Sequence, residues 1–151
     1  MRLLIQRVLN AAVEVEACEV ARIDHGLLIF VGVGQQDTEQ DAQWLAQKVV
    51  KLRLFSDDFG KMNRSVMDIS GEILSVSQFT LFGDLQKGNR PSFISAAPPD
   101  LGKHLWQHFN ATLESLLGFK IQKGVFAADM KVSLVGNGPV TLWLDSRAAT
   151  R

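Results

Sequence analysis

Runs rich in Val, Leu and Ile lie at both ends of this chain, and only two segments between them carry apolar residues at helical spacing. A doubly wound parallel sheet needs regular alternation of strand and helix, so strands gathered at the termini around a few helices favour a mixed α+β architecture instead. Arg2 to Val8, Ala11 to Ala17 and Gly26 to Val33 read as strands, with partial period-two alternation in Val13-Glu14-Val15-Glu16, and the short breaks between them imply antiparallel neighbours. Gly71 to Leu81 contains a buried-looking strand, and Lys120 to Val125, Lys131 to Val135 and Val140 to Leu144 are three more. The expected fold is α+β, with mixed, largely antiparallel, barrel-like β-sheets and two main helices. Exposed strand edges are expected to pair between subunits in a dimer.

The first helix is signalled by Asp37-Thr38-Glu39-Gln40, a side-chain cap with a returning Gln, followed by Trp44, Leu45, Val49 and Leu52 as an apolar stripe ending near Leu52. Pro98-Pro99-Asp100 opens the second, which carries Leu101, Leu105, Phe109, Leu113 and Leu116 at three- and four-residue spacing and stops at Gly118. Polar turns are expected at Asp57 to Lys61 and from Gly83 to Asn89. With 151 residues, 46% of them hydrophobic and 21% charged, the chain is expected to form one domain over 1–151 and not a disordered segment.

Sixteen Lys and Arg balance sixteen Asp and Glu, so no global field drives sequence-blind binding along a nucleic acid. Any RNA contact is expected to be local, with no DNA partner. The lone Cys18 cannot close an internal disulfide and reads as a small buried apolar residue. No charged start followed by a long apolar run marks a signal peptide or a membrane span, which leaves a cytoplasmic address by default.

Few side chains offer ready-made chemistry. Gly32-Val33-Gly34 lacks the third glycine of a dinucleotide loop and reads as a tight turn. His104 and His108 stand one helical turn apart, yet Leu105 occupies the position where a zinc hydrolase needs Glu, so solvent-facing histidines are the favoured reading and no metal or cofactor is expected. His25 has no acid or nucleophile beside it in sequence. Ser77 and Thr80 have no Gly-x-Ser-x-Gly elbow and no evident base; strand hydroxyls that satisfy backbone groups are the bland alternative to a nucleophile.

Two stretches stand out. Ser77-Gln78-Phe79-Thr80-Leu81 places hydroxyl and amide groups at the end of an apolar strand. Asn137-Gly138-Pro139-Val140-Thr141 reads as a turn between strands, because Asn-Gly is a strong hairpin signal, while Pro139 lacks an amide hydrogen and stiffens a backbone whose carbonyls stay free. Together they suggest a pocket that reads shape with backbone.

With these motifs the chain closely resembles the D-aminoacyl-tRNA deacylase family. The likeness runs nearly end to end: Met1-Arg2-Leu3-Leu4-Ile5-Gln6-Arg7-Val8, Gly26-Leu27-Leu28, Ser77-Gln78-Phe79-Thr80-Leu81, Lys87-Gly88-Asn89-Arg90-Pro91-Ser92-Phe93 and Gly138-Pro139-Val140-Thr141. The resemblance implies hydrolysis of the ester that joins a D-amino acid, or glycine, to the terminal ribose of tRNA. It also implies a homodimer with sites at the subunit interface, where Gly138 and Pro139, in cis form, project into the neighbour's pocket and reject L-aminoacyl esters sterically. Ser77, Gln78, Phe79 and Thr80 would form the pocket floor. Phe126-Ala127-Ala128-Asp129-Met130 aligns with the family segment that helps to hold the terminal adenosine, which assigns Phe126, Ala127, Ala128 and Met130 to substrate binding.

Two departures from the family pattern are Ala127, where a glycine is usual, and Leu85, where a small polar residue is usual. The mechanism favoured by the missing triad uses backbone amides around Gln78 and Phe79 for the oxyanion and a water placed partly by the ribose hydroxyl; Thr80 as a covalent nucleophile is the alternative. Lys87, Arg90, Lys120 and Lys123 are candidate phosphate contacts, with solvated surface charge as the equal alternative. A non-catalytic module that binds the tRNA 3' end and a purely structural strand-paired dimer are the competing functions.

Overall fold

The computed structural model describes residues 1–148. Its elements in order are β1 (Arg2–Val15), β2 (Cys18–Ile23), β3 (Gly26–Gly32), α1 (Glu39–Lys51), β4 (Phe55–Ser56), β5 (Met62–Arg64), β6 (Glu72–Ser77), a 3-10 turn (Phe79–Phe82), α2 (Pro99–Leu117), β7 (Gln122–Lys123) and β8 (Lys131–Asp145). The main sheet runs β2-β1-β3-β6-β7, and β8 covers the other edge of β1. Neighbours of β1 are antiparallel, whereas β3–β6 and β6–β7 are parallel. The expected α+β fold with a barrel-like, largely antiparallel sheet and two helices is therefore present, with a parallel core that short sequence breaks did not announce.

Three local readings need correction. Arg2 to Val8 and Ala11 to Ala17 are one strand, β1, which turns at Glu16 and Ala17 with φ of 50° and 62° and returns as β2. Positive φ at both central residues is the turn type whose twist suits a hairpin, but Glu-Ala carries none of the usual Asn-Gly signal. The cap of α1 sits one residue later than expected: Thr38 is the N-cap, and its amide and hydroxyl both donate to the Asp41 carboxylate, at 2.9 and 2.8 Å. Asp37 does not cap the helix because its buried carboxylate accepts the Met1 ammonium and the Gly34 amide, each at 2.6 Å.

The third correction concerns Asn137 to Thr141. There is no hairpin: β8 runs through this region as a single strand along β1, but Gln6 pairs with Thr141 and Val8 with Gly136, so Asn137 to Val140 bulge out opposite Arg7. The Gly138–Pro139 peptide is cis and Gly138 has φ +131°. Pro139 cannot donate to a ladder, and a bulge is where a strand tolerates it.

Alternation on the strands sorts the core into two layers. Leu3, Ile5, Leu27, Ile29 and Ile73 meet the helices, where Leu45 and Val49 of α1 and Leu105, Phe109 and Leu113 of α2 are buried. Val8, Val13, Ile23, Leu28, Leu74 and Val76 fill the opposite, barrel-interior face. With helices on one side and curled sheet on the other, β3 is buried nearly throughout and reads as a continuous apolar run. At about 1.5–3 kcal/mol per fully buried large apolar side chain, these two layers supply the main driving force for folding.

Candidate functional site

Parallel strands β3 and β6 end side by side, and the chain beyond β6 tightens into the 3-10 turn Phe79–Phe82. The Gln78 amide still donates to the Val31 carbonyl at 2.7 Å, so it is spent on holding the strand end. Leu81 and Gly83 donate back to Gln78 and Thr80. The amides of Phe79 and Thr80 meet no backbone carbonyl among the described residues, as the first donors of a helical turn do not. The expectation that the amides around both Gln78 and Phe79 are available narrows to the Phe79 side.

Over this strand end lies a cleft of about 690 Å³. Its floor includes Val31, Val76, Ser77, Gln78 and Phe79; its walls are Phe93 to Pro99 in part, Gly102 and Trp106 of α2, and Phe126 to Met130. The Phe79 ring is exposed and stands edge-on to Phe93 at 5.1 Å. Trp106 packs beside Phe126 at 5.9 Å, and its indole Nε1 donates to the buried Ser75 Oγ at 2.9 Å. The cleft is mostly apolar, and among the described residues Asp129 is the only ionisable group lining it. Asp129 pairs with Lys131 at 2.7 Å, and that bond holds the Lys131 ammonium above its usual range.

The structure thus brings Ser77, Gln78 and Phe79 together with Phe126, Ala127, Ala128 and Met130, although the two segments are about fifty residues apart in sequence. Thr80 does not line the cleft; its hydroxyl accepts a short hydrogen bond from Gln78 Nε2 at the exposed surface. Gly138 and Pro139 do not line it either, and both are exposed. Their bulge is anchored by Arg7, which donates from Nε to the Asn137 carbonyl at 3.0 Å and from Nη1 to the Leu54 carbonyl. Ala127 has φ +62°, left-handed backbone that favours glycine, which gives a physical meaning to the glycine usual at this position.

Sequence reasoning missed Trp106, although it lies three residues before Phe109 and seven before Leu113 and so shares the buried face of α2; that spacing was its signal. Other candidates resolve without chemistry. His104 Nε2 lies 2.8 Å from Glu39 Oε1 and His108 Nε2 lies 3.2 Å from Gln43 Nε2, linking α2 to α1. No group of three or more His, Cys, Asp or Glu among the described residues could hold a metal ion. Cys18 is exposed, not buried as expected, because it starts β2 directly after the turn. Lys120 and Lys123 both bind the Glu114 carboxylate, at 2.9 and 2.7 Å. Burial alone would raise the Glu114 carboxyl, but these bonds and the Ile121 amide outweigh it and hold it low. No helix among the described residues is long and apolar enough to cross a membrane.

Comparison with known proteins adds identity to this geometry. A D-aminoacyl-tRNA deacylase of Thermotoga petrophila is 56% identical over 146 residues, covering 97% of each chain. Among solved structures, a c-Myc DNA unwinding element binding protein superposes with TM-score 0.90 at 35% identity, covering 96% of this chain and 98% of its own. A probable eukaryotic D-amino acid tRNA deacylase gives TM-score 0.85 at 15% identity, covering 95% and 97%, and so shares the fold. The family model described as D-Tyr-tRNA(Tyr) deacylase matches residues 4–145, and the chain belongs to that family.

Proposed function

We propose that this chain hydrolyses the ester of D-aminoacyl-tRNA, with the terminal adenosine and its amino acid seated in the cleft between the end of β6 and the Phe126 to Met130 segment. One observation carries the reading: an apolar cleft, lined among the described residues by a single, already paired carboxylate, presents at its floor the Phe79 amide, which meets no backbone carbonyl. Water attacks the ester carbonyl carbon, the bond from that carbon to the ribose oxygen breaks, and the ribose oxygen takes up the proton. The products are a free amino acid and tRNA. A donor such as the Phe79 amide, placed where charge develops, contributes about 3–4 kcal/mol in comparable hydrolases. A hydroxyl of the substrate's own ribose positions the water, since the one carboxylate lining the cleft among the described residues, Asp129, is paired with Lys131. No metal or cofactor enters this scheme.

In the same reading the protein is a cytoplasmic homodimer, and each Gly138–Pro139 bulge enters the partner's cleft. Support comes from the exposure of the bulge and from β8, whose second edge is unpaired among the described residues and carries exposed Leu134, Val135 and Trp143. An edge of this kind invites a second copy. Backbone carbonyls at the bulge would exclude an L-side chain while a D-side chain points to solvent, and glycine, having none, would enter. The neighbour named for DNA binding does not extend to a DNA partner here, because basic and acidic residues cancel.

Hydrolysis of matched D- and L-aminoacyl-tRNA by the purified chain tests this. Release from the D-ester with little from the L-ester is expected. Equal rates, or tight binding of the tRNA 3' end without release, would overturn it.

A further inference from the structure

Outside the cleft the structure leaves a small set of cations without acidic partners. Seven lysines and arginines are ion-paired in the described residues. Lys87, Arg90 and Lys103 are exposed and belong to no such pair. Lys48, Lys51, Arg53 and Lys61 are also unpaired with acids, but they sit on or just after α1 and in the β4–β5 turn, and Arg7 is bonded to the Asn137 and Leu54 carbonyls; none of these five lines the cleft.

The three others border it. Lys87 and Arg90 ride on a loop whose two ends are tied together, Asp84 N to Ser92 O at 2.8 Å and Ser92 N to Asp84 O at 2.9 Å. Gly88, at φ +93°, makes its bend, and the Asp84 carboxylate is occupied by the Gln86 amide at 2.8 Å. The loop leaves the site at Gly83, just after the 3-10 turn, and re-enters it at Phe93, which lines the cleft. Lys103 approaches from the other wall: it lies four residues after Pro99 and three before Trp106, so all three share a face of α2, and the other two line the cleft. Asp100, the nearest acid on that face, forms no ion pair with it among the described residues.

We infer that Lys87, Arg90 and Lys103 form a cationic rim that takes the phosphates of the tRNA acceptor end as it leaves the cleft. This rests on the reading that the cleft holds a tRNA terminus. Unpaired cations on two walls of an apolar cleft, on a chain of zero net charge, concentrate positive potential where a polyanion must exit. The rim gives affinity for the nucleic acid without base specificity. It also replaces part of the sequence-based expectation, since Lys120 and Lys123 are committed to Glu114.

The test compares wild type, K87A/R90A/K103A and the control K120A/K123A on two substrates, a D-aminoacyl-tRNA and the D-aminoacyl ester of adenosine alone. For the triple variant, KM on the tRNA is expected to rise about tenfold or more, with the adenosine ester changed less than about twofold. Its salt slope for binding uncharged tRNA should fall by about 2–3, near 0.7–1 for each phosphate no longer engaged. An unchanged KM and slope, or an equal loss in K120A/K123A, would overturn the rim. Failure of the wild type to cleave either ester would instead sink the proposed hydrolysis, and the salt slope on uncharged tRNA would still decide whether the rim exists. Matching far-UV spectra and urea midpoints confirm that the exposed substitutions leave the fold intact.

Discussion

Trp106 of α2 and Ser75 of β6 are joined by a buried hydrogen bond, indole Nε1 to hydroxyl at 2.9 Å, directly behind the cleft wall. It ties the helix that forms one wall to the strand that ends in the floor. In Ser75→Ala the indole N–H is left buried and unpaired, which costs about 1–3 kcal/mol. The expected outcome is a lower urea midpoint with an unchanged m-value, together with weakened ester hydrolysis as the wall loosens. A midpoint equal to wild type would show that another acceptor replaces Ser75.

That bond also marks where the sequence stopped being legible. Helical spacing located α2 through Leu105, Phe109 and Leu113, partial alternation marked the end of β1, and a continuous apolar run marked β3, because each of these segments buries against a continuous layer. Pairing direction was hidden, since β3 and β6 are parallel across a long connection that includes α1, and no local pattern reports it. The Gly138-Pro139 bulge read as a hairpin because Asn-Gly speaks for a turn, while the register of β1 against β8 before and after the bulge is a long-range fact. Motif resemblance, not physical pattern, joined Ser77 to Phe79 with Phe126 to Met130; the cleft supplies the reason that composition could not.

Ala127 is held at φ +62° on the cleft wall. Left-handed backbone costs a residue with a Cβ about 1–2 kcal/mol, and glycine returns part of that gain through its looser unfolded chain. Ala127→Gly is therefore expected to stabilise the protein by about 0.5–1 kcal/mol in urea titration. A loss of stability would mean that the methyl group makes compensating contacts with its neighbours.

Acid should unfold the protein through a few aspartates. Hydrogen bonds from the Ser65 amide and hydroxyl hold Asp68 below the usual range. Burial would raise Asp41 and Asp145, but Thr38 outweighs it for the first, and the Arg147 amide with Arg2 for the second. Folded values below the unfolded value of about 3.9 mean that this stability is fully present above that pH and is lost as pH falls through the folded values. Urea midpoints are expected to be flat from pH 6 to about 4.5 and to fall below about 4. Asp145→Asn should lower the neutral-pH midpoint and flatten the acid limb.

Thr80 separates two mechanisms. Its hydroxyl accepts from Gln78 Nε2, has no histidine, lysine or carboxylate bonded to it among the described residues, and lies outside the cleft lining. Thr80→Ala is expected to keep turnover within about tenfold of wild type. A covalent nucleophile would lose several orders of magnitude on the same substitution. Single-turnover hydrolysis with saturating enzyme reads the chemical step directly, and a collapse there with intact binding would restore Thr80 as the nucleophile.

Arg7 provides the last and most discriminating measurement, because it grips the bulge that is proposed to sort handedness. Its guanidinium donates to the carbonyls of Asn137 and Leu54, so it fixes the bulge to the body of the chain without touching the cleft of its own subunit. A Cβ built on Gly138 would stand 2.7 Å from Arg7 Nη2, so Gly138→Ala disturbs the same contact from the other side. Both Arg7→Ala and Gly138→Ala are expected to lower stability by about 1–3 kcal/mol, as lost hydrogen bonds to a charged group and strain at positive φ do. If the bulge excludes L-side chains, the ratio of kcat/KM for the D-ester over the L-ester should fall at least tenfold in both variants, driven by a gain on the L-ester. A purely structural role would depress both esters together and leave the ratio unchanged, and Arg7→Lys, which keeps the charge but not the paired donors, should fall between wild type and alanine only if the anchored geometry is what counts.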